Sequence, residues 1–539
     1  MSNRGDLETM AREEYDLLVI GGGILGCGVA RDAAMRGLRV ALVEKEDLGY
    51  GTTSRSTRLI HGGLRYLELF DFALVHEGLH ERQHLLQIAP HLVRGIPFLT
   101  PSYVGDRWGP LFLRAGMVLY DLLSLGKSLP SHRMLTPAQV RELEPGIRSE
   151  GLRGGALYYD AQVAYPERLC VENALCAQKH GAQIANYAEA RQLLRDGQRV
   201  CGALVEDRLT GATHPIRAQL TVNAAGPWAD EVARLASPEA RPALRRTKGI
   251  HLLVPSFTRH AIVLQARRDG RIFFAVPWEG NTLIGTTDTD YEESPDQVTA
   301  LPDEVRYLVE ETRRVFPHAD LGHVFATTAG VRALVRSRKK AESDVSRRHR
   351  IVDHAREGTP GLLSLFGGKI TAYRAIAAEA VDLVGRILGR RMPCRTAVEP
   401  LPGGSEAPEV TRCRLVPRAS AIGLDEEQVE HLVGLYGTRA AEVLALAEAD
   451  ARLRERITPG HPEILAQIHH ACRAEMAVTP ADFLLRRTGI GFRPDHGLDA
   501  LERVSREFAL LLGWSAEHER EECRRYEAAA DYLSAGIEP

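Results

Sequence analysis

At 539 residues the chain is too long for one hydrophobic core, which predicts at least two domains. A composition of 44% hydrophobic and 26% charged residues excludes a disordered or fibrous protein. With 68 basic residues against 71 acidic ones the net charge is -3, so no global field collects nucleic acid and any anion binding must be local. The eight cysteines form no CxxC pair and no metal-ligand spacing, which fits a reducing, cytoplasmic setting. The opening MSNRGDLETM has acids and no apolar core, so no secretory signal is expected. No uncharged apolar run reaches the ~18 residues of a membrane-spanning helix.

In chain order, LLVI (17–20) reads as a buried parallel strand and ends in Gly21-x-Gly23-x-x-Gly26. A helix is predicted from about 24 to 36 with Gly37 as its stop, then a second strand, LRVALV, ending on Glu44. Gly21 permits the tight turn, Gly23 lets a pyrophosphate approach the backbone, and Gly26 lets helix and strand pack closely. The helix N-terminus favours a phosphate, and Glu44 is placed to accept from a ribose diol. Strand, helix, second strand and acid together predict a dinucleotide site.

GTTSRSTR (51–58) and LIHGGLRYLE (59–68) look like neither core strand nor ordinary helix. Their bland reading is a satisfied structural His61 and a salt-bridged Arg65. His76-Glu77-Gly78-Leu79-His80, with His84 at helical spacing, matches the H-E-x-x-H of zinc hydrolases, but Gly78 weakens the helix that reading needs. GPLFLRAGMVLYDLLSLG (109–126), broken by Arg114 and Asp121, reads either as an interfacial helix or as a core helix. A hairpin turning at Thr210-Gly211 precedes LTVNAAGPWADEVARL (220–235), a strand, a small-residue turn at Ala224-Ala225-Gly226 and a helix. Between 249 and 287, GIHLLVP, RIFFAVP and NTLIGTT read as antiparallel strands. The basic run 335–350 reads as a solvated loop that could also steer a phosphorylated substrate or touch anionic lipid. GLLSLFGGKITAYRAIAAEAVDLVGRIL (361–388) repeats the grammar: apolar strand, Gly367-Gly368, long helix. The glycine fingerprint does not choose between NAD and FAD. A flavin would give these distant segments a purpose, because a helix N-terminus after Gly368 could stabilise a reduced ring through its dipole.

Taken together, VIGGGILGCGVARDAAMRGLRVALVE, LIHGGLRYLE, VNAAGPW, TKGIHLLVP, AVPWEGNTLIGTTDTDY, AGVRAL, LLSLFGGKITAYR and EMAVTPADFLLRRTGIG (475–491) resemble the FAD-dependent glycerol-3-phosphate dehydrogenases. That family is a branch of the D-amino-acid-oxidase-like flavoproteins. The segments span nearly the whole chain in the family's order; LIHGGLRYLE and LFGGKITAYR are the specific ones. Ala333 stands where the family usually has proline, and Ala372 where threonine is common.

The resemblance implies FAD, oxidation of sn-glycerol 3-phosphate to dihydroxyacetone phosphate, and a membrane quinone as electron acceptor. It implies that Thr52, Thr53, Ser54 and Ser56 contact cofactor oxygens, joined by Gly62, Gly63, Ala225, Gly226, Gly367, Gly368, Lys369 and Thr371. Arg65, Arg332, Lys369 and Tyr66 would bind the substrate phosphate. His61 or Lys369 would take the C2 hydroxyl proton, with Arg332 beside them; the base stays open. Three alternatives remain: a glycerol-3-phosphate oxidase using O2, another amine or hydroxy-acid flavin oxidoreductase, and a zinc hydrolase built on HEGLH. No resident metal is expected.

The expected architecture is α/β: a Rossmann-type FAD-binding part (roughly 1–100, 150–240 and 355–395) and an antiparallel-sheet substrate part (roughly 101–149 and 241–354). A Pro/Gly-rich linker follows at 396–410, then an all-helical domain over 411–539. Peripheral attachment to the cytoplasmic membrane and a homodimer are both left open.

Overall fold

The computed structural model describes residues 3–68, 70–239, 241–336 and 349–537, apart from the side chains of Arg65 and Glu68. Residues 337–348 of the basic run 335–350 lie outside the described residues. Two sheets and a helical unit make up the rest. The first sheet is built on five parallel strands. Glu14–Ile20 lies between Val40–Val43 and Thr213–Asn223; Gln183–Ala185 flanks the former and Leu362–Phe366 the latter. The hairpin with Gly211 at its turn adds Arg199–Asp207 and Ala188–Asp196 at the side. These strands are nearly continuous apolar runs because helices Ile24–Met35, Pro166–Lys179 and Tyr373–Ile387 share their core.

The second sheet is mostly antiparallel. Leu244–Pro255 pairs with Asn281–Gly285 on one side and Ala326–Val335 on the other, and Ile272–Trp278 continues it. Val93–Tyr103 and Leu152–Val163 extend it further. Helix Pro302–Arg313 lies against it, with Leu308 and Val305 in a core of Ile250, Leu252, Ile262 and Phe273.

From Pro408 onward the described chain is helical, and its core (Leu432, Tyr436, Phe483, Phe508) takes in Trp278 and Leu253 of the second sheet. The stretch before it is packed rather than free. Leu401 is buried, Gly403 N–H donates to Glu172 Oε2 at 2.8 Å, and a Cβ on Gly403 would meet Tyr436 O at 2.4 Å. A buried ionic seam then ties the helical unit to the parallel sheet. Arg168 grips Glu475 through both nitrogens (2.5 and 2.9 Å), and Arg439 bridges Glu475 and Glu172. Asp47 receives Arg486 at 2.7 Å and Arg487 at 2.7 and 2.9 Å.

The stretch 109–126 resolves its two readings. Helix Pro110–Leu123 buries Leu113, Met117 and Tyr120 and leaves Leu111, Phe112, Val118 and Leu122 exposed, so it is a surface helix with an uncovered apolar side. No helix among the described residues is long and apolar enough to cross a membrane.

Candidate active site

A cavity of about 360 Å3 lies between the two sheets. Its one wall comes from turns that follow the C-terminal ends of parallel strands: Gly21 and Gly23 after 14–20, Glu44 after 40–43, Ala225 and Gly226 after 213–223, and Gly367, Gly368 and Lys369 after 362–366. That is where open parallel sheets bind ligands. Gly21 has φ +109°, and a Cβ there would come within 2.7 Å of Ala224 O; a Cβ on Gly26 would lie 1.8 Å from Gly21 O. Gly26 therefore serves the close packing of helix on strand and does not line the cavity. Gly23 is open, its nearest neighbour being Thr53 Oγ1 at 3.7 Å. Glu44 receives Gly22 N–H at 2.5 Å and Glu46 N–H at 2.9 Å. Burial pushes its carboxyl up, against the pull of those two N–H groups.

Thr52, Thr53 and Ser56 line the same cavity, whereas Ser54 does not: its hydroxyl bonds back to Tyr50 O and Gly51 O inside its own turn. In the HGG segment His61, Gly63 and Tyr66 face the cavity. Gly62 turns the other way. A Cβ on it would strike Leu79 and the Tyr120 hydroxyl at 2.7 Å, and its N–H donates to that hydroxyl at 3.0 Å. Tyr120 in turn donates to Asp160 at 2.6 Å, which is paired with Arg82. Thr371 is also buried behind the wall, where its Oγ1 accepts the His61 N–H at 3.2 Å. Gly62 and Thr371 thus hold His61 in position and do not themselves line the cavity. The Arg65 side chain lies outside the described residues.

HEGLH falls on helix Phe72–Ile88, and Gly78 has a packing reason there: its Cβ would lie 3.1 Å from Gly62 Cα. His76 and His80 turn to backbone carbonyls, and no group of three metal-binding side chains occurs among the described residues.

The opposite wall comes from the antiparallel sheet. Arg332, on Ala326–Val335, donates to Asp288 Oδ1 (3.0 Å), Thr286 Oγ1 (2.8 Å) and Thr287 O (2.9 Å). Gly249 makes room for it, since a Cβ there would sit 2.2 Å from Arg332 Nη2. Lys369 Nζ lies 3.6 Å from the centroid of the Tyr66 ring. His61 stands edge-on to Phe274, with ring centroids 5.8 Å apart.

Sequence reasoning missed His251. It lines the cavity, almost fully buried, with Nε2 at 2.9 Å from Thr57 Oγ1 and no partner on Nδ1. Burial lowers its pKa to about 3, and the charges of Arg332 and Arg58 add to the effect, so it stays neutral at physiological pH. A glycine and a lone imidazole inside the apolar strand TKGIHLLVP were the available signal. Asp288, which anchors Arg332, was missed as well.

The glycine turn at Gly21–Gly23, the carboxylate at the next strand's end and the polar turn at Thr52–Ser56 fit FAD. This architecture defines a flavin-dependent oxidoreductase. The family model described as FAD dependent oxidoreductase matches residues 16–374, and one described as the C-terminal domain of alpha-glycerophosphate oxidase matches 394–519. A glycerol-3-phosphate dehydrogenase of Synechocystis is 42% identical over 529 residues, 95% of each chain. An aerobic glycerol-3-phosphate dehydrogenase of Staphylococcus haemolyticus is 33% identical, covering 98% of this chain and 97% of its own. The solved glycerol-3-phosphate dehydrogenase of Bacillus halodurans, complexed with FAD, is 30% identical and superposes with a TM-score of 0.82 over 99% of this chain and 98% of its own. The chain belongs to the FAD-dependent glycerol-3-phosphate dehydrogenase family.

Proposed function

We propose that the protein oxidises sn-glycerol 3-phosphate to dihydroxyacetone phosphate and delivers the electrons to a membrane quinone. The observation that carries this is a single cavity lined both by the dinucleotide turns and by Arg332, Lys369, His61 and His251. FAD would be held by Gly21, Gly23, Glu44, Thr52, Thr53 and the 225–226 and 367–368 turns, and it would supply the two-electron acceptor for the C2 hydride.

Arg332 binds the substrate phosphate, because its guanidinium is anchored by Asp288 and Thr286 at the cavity wall. Lys369 adds a second positive charge. An ammonium over an aromatic face gains from keeping that charge, which suits it to anion binding rather than to accepting a proton. Tyr66 positions Lys369 through its ring. His251 is too weakly basic for the proton-accepting role and serves as a neutral hydrogen-bonding group. That leaves His61 to take the C2 hydroxyl proton, its backbone fixed by Thr371.

The uncovered apolar side of helix Pro110–Leu123, with Leu125 also exposed, supports peripheral seating on a bilayer, where a quinone resides. Turnover should require sn-glycerol 3-phosphate, fail with glycerol, and proceed faster with a short-chain quinone than with O2. Equal rates with O2 would make the protein an oxidase, and turnover of glycerol would remove the phosphate site. His61→Asn should slow anaerobic reduction of bound flavin at saturating substrate about 100-fold or more; a wild-type rate would clear His61 of the role.

A further inference from the structure

Trp108 and Val263 line the large cavity and also a second one of about 210 Å3. The second lies between the end of strand Val93–Tyr103, the loop after Ala261–Gln265 and the end of helix Pro302–Arg313. Its lining brings Arg107, Arg148, Arg267 and Arg314 together with Asp106 and Glu311.

The two carboxylates are already engaged by the fold. Asp106 Oδ2 accepts the Tyr103 N–H at 2.7 Å, closing the turn after its strand. Glu311 accepts the Arg267 and Arg268 N–H groups at 2.8 and 3.3 Å and meets Arg314 at 3.4 Å. The guanidiniums of Arg148 and Arg267 are less engaged. Arg148 lies over the Tyr103 ring, 4.7 Å from its centroid, and its buried Nε has no hydrogen-bond partner. Neither Arg148 nor Arg267 forms an ion pair among the described residues. Burial pushes the Asp106 carboxyl up, while the Tyr103 N–H and the charges of Arg148, Arg314 and Arg267 pull against that shift.

We propose that this cavity is a second anion site, which takes a small phosphate-bearing dianion between Arg148, Arg267 and Arg314. Guanidinium and phosphate match in charge and in paired hydrogen-bond geometry, and a partly enclosed pocket strengthens the attraction. The volume is below the roughly 300 Å3 of a drug-sized site, which suits an ion or a short phosphomonoester. The common wall places Trp108 to report occupancy of either cavity.

Calorimetric titration of the FAD-loaded enzyme with inorganic phosphate tests this. Two sites are expected. Arg332→Ala should remove one and leave the other; Arg148→Gln should weaken the second about tenfold and leave kcat/KM for the substrate within about twofold. Arg267 is exposed, so Arg267→Gln gives the same test should Arg148→Gln fail to load FAD; about threefold weaker binding is expected. One site in the wild type, lost entirely in Arg332→Ala, would overturn the second site. So would wild-type phosphate binding in Arg267→Gln together with Arg148→Gln. Loss of the second site alone, with Arg332→Ala unchanged, would support it while removing the phosphate role proposed for Arg332.

Discussion

The seam beneath the C-terminal helices and the cavity between the sheets both gather arginine, carboxylate and histidine, yet they use them in opposite ways. In the seam, Arg168, Arg487, Asp47, Glu172 and Glu475 are almost completely buried, and each arginine meets a carboxylate at hydrogen-bond distance. Removing two charges from water is tolerated there only because the pairing is bidentate and cross-linked. In the cavity, Arg332 is held at the wall by Asp288 and Thr286, Lys369 rests on the Tyr66 ring, and His251 keeps a nitrogen without a partner. Closed pairing away from any cavity holds a domain in place, whereas Arg332, Lys369 and His251 line the volume a ligand would enter.

The largest effect should come from opening the seam. Glu475→Gln leaves Arg168 and Arg439 facing a neutral amide and should cost about 3–5 kcal/mol of stability, read as a lower thermal midpoint with kcat preserved in the folded fraction. A midpoint within a degree of wild type would erase the contrast. Next, Arg332→Ala should raise KM for sn-glycerol 3-phosphate roughly 10- to 150-fold without lowering FAD content, as for loss of a charge-assisted contact of ~1.5–3 kcal/mol. Lost FAD with unchanged KM would reassign Arg332 to the cofactor.

The seam should also show in acid. Burial alone would raise Glu475, but Arg168, His470 and Arg439 outweigh it and hold its folded pKa well below the ordinary 4.5. The unfolded chain therefore binds more protons below about pH 4.5, and stability is lost as pH falls through that region. Asp482, raised by burial and by Asp47, works in the opposite direction. The thermal midpoint of Glu475→Gln should therefore fall less steeply with acid than that of the wild type. The smallest effect belongs to the exposed pair Arg12–Glu8: Arg12→Ala should change stability by no more than about 0.5 kcal/mol.

The parts of this architecture carried by local chemistry were legible in the chain. Gly21-x-Gly23-x-x-Gly26 placed strand, turn and helix, with Gly37 at φ +84° just past the helix end, and the strands between 249 and 287 lie in the antiparallel sheet as their pattern predicted. Side-chain direction was less legible. Ser54, Gly62 and Thr371 have the right chemistry for cofactor contacts, but a turn, a helix packed behind and a backbone N–H claim them first. His251 and Asp288 escaped because their partners, Thr57 and Arg332, lie 194 and 44 residues away in sequence. The seam escaped for the same reason: Arg487 and Asp47 are 440 residues apart, and nothing local marks either as a partner.

Hydride transfer in this cavity requires FAD and sn-glycerol 3-phosphate to be bound there together. Its most direct test is an anaerobic titration of the purified, FAD-loaded protein with sn-glycerol 3-phosphate, following the visible flavin absorbance. Bleaching is expected, with the colour restored when a quinone is added. A protein that binds FAD and stays yellow at saturating sn-glycerol 3-phosphate would contradict it.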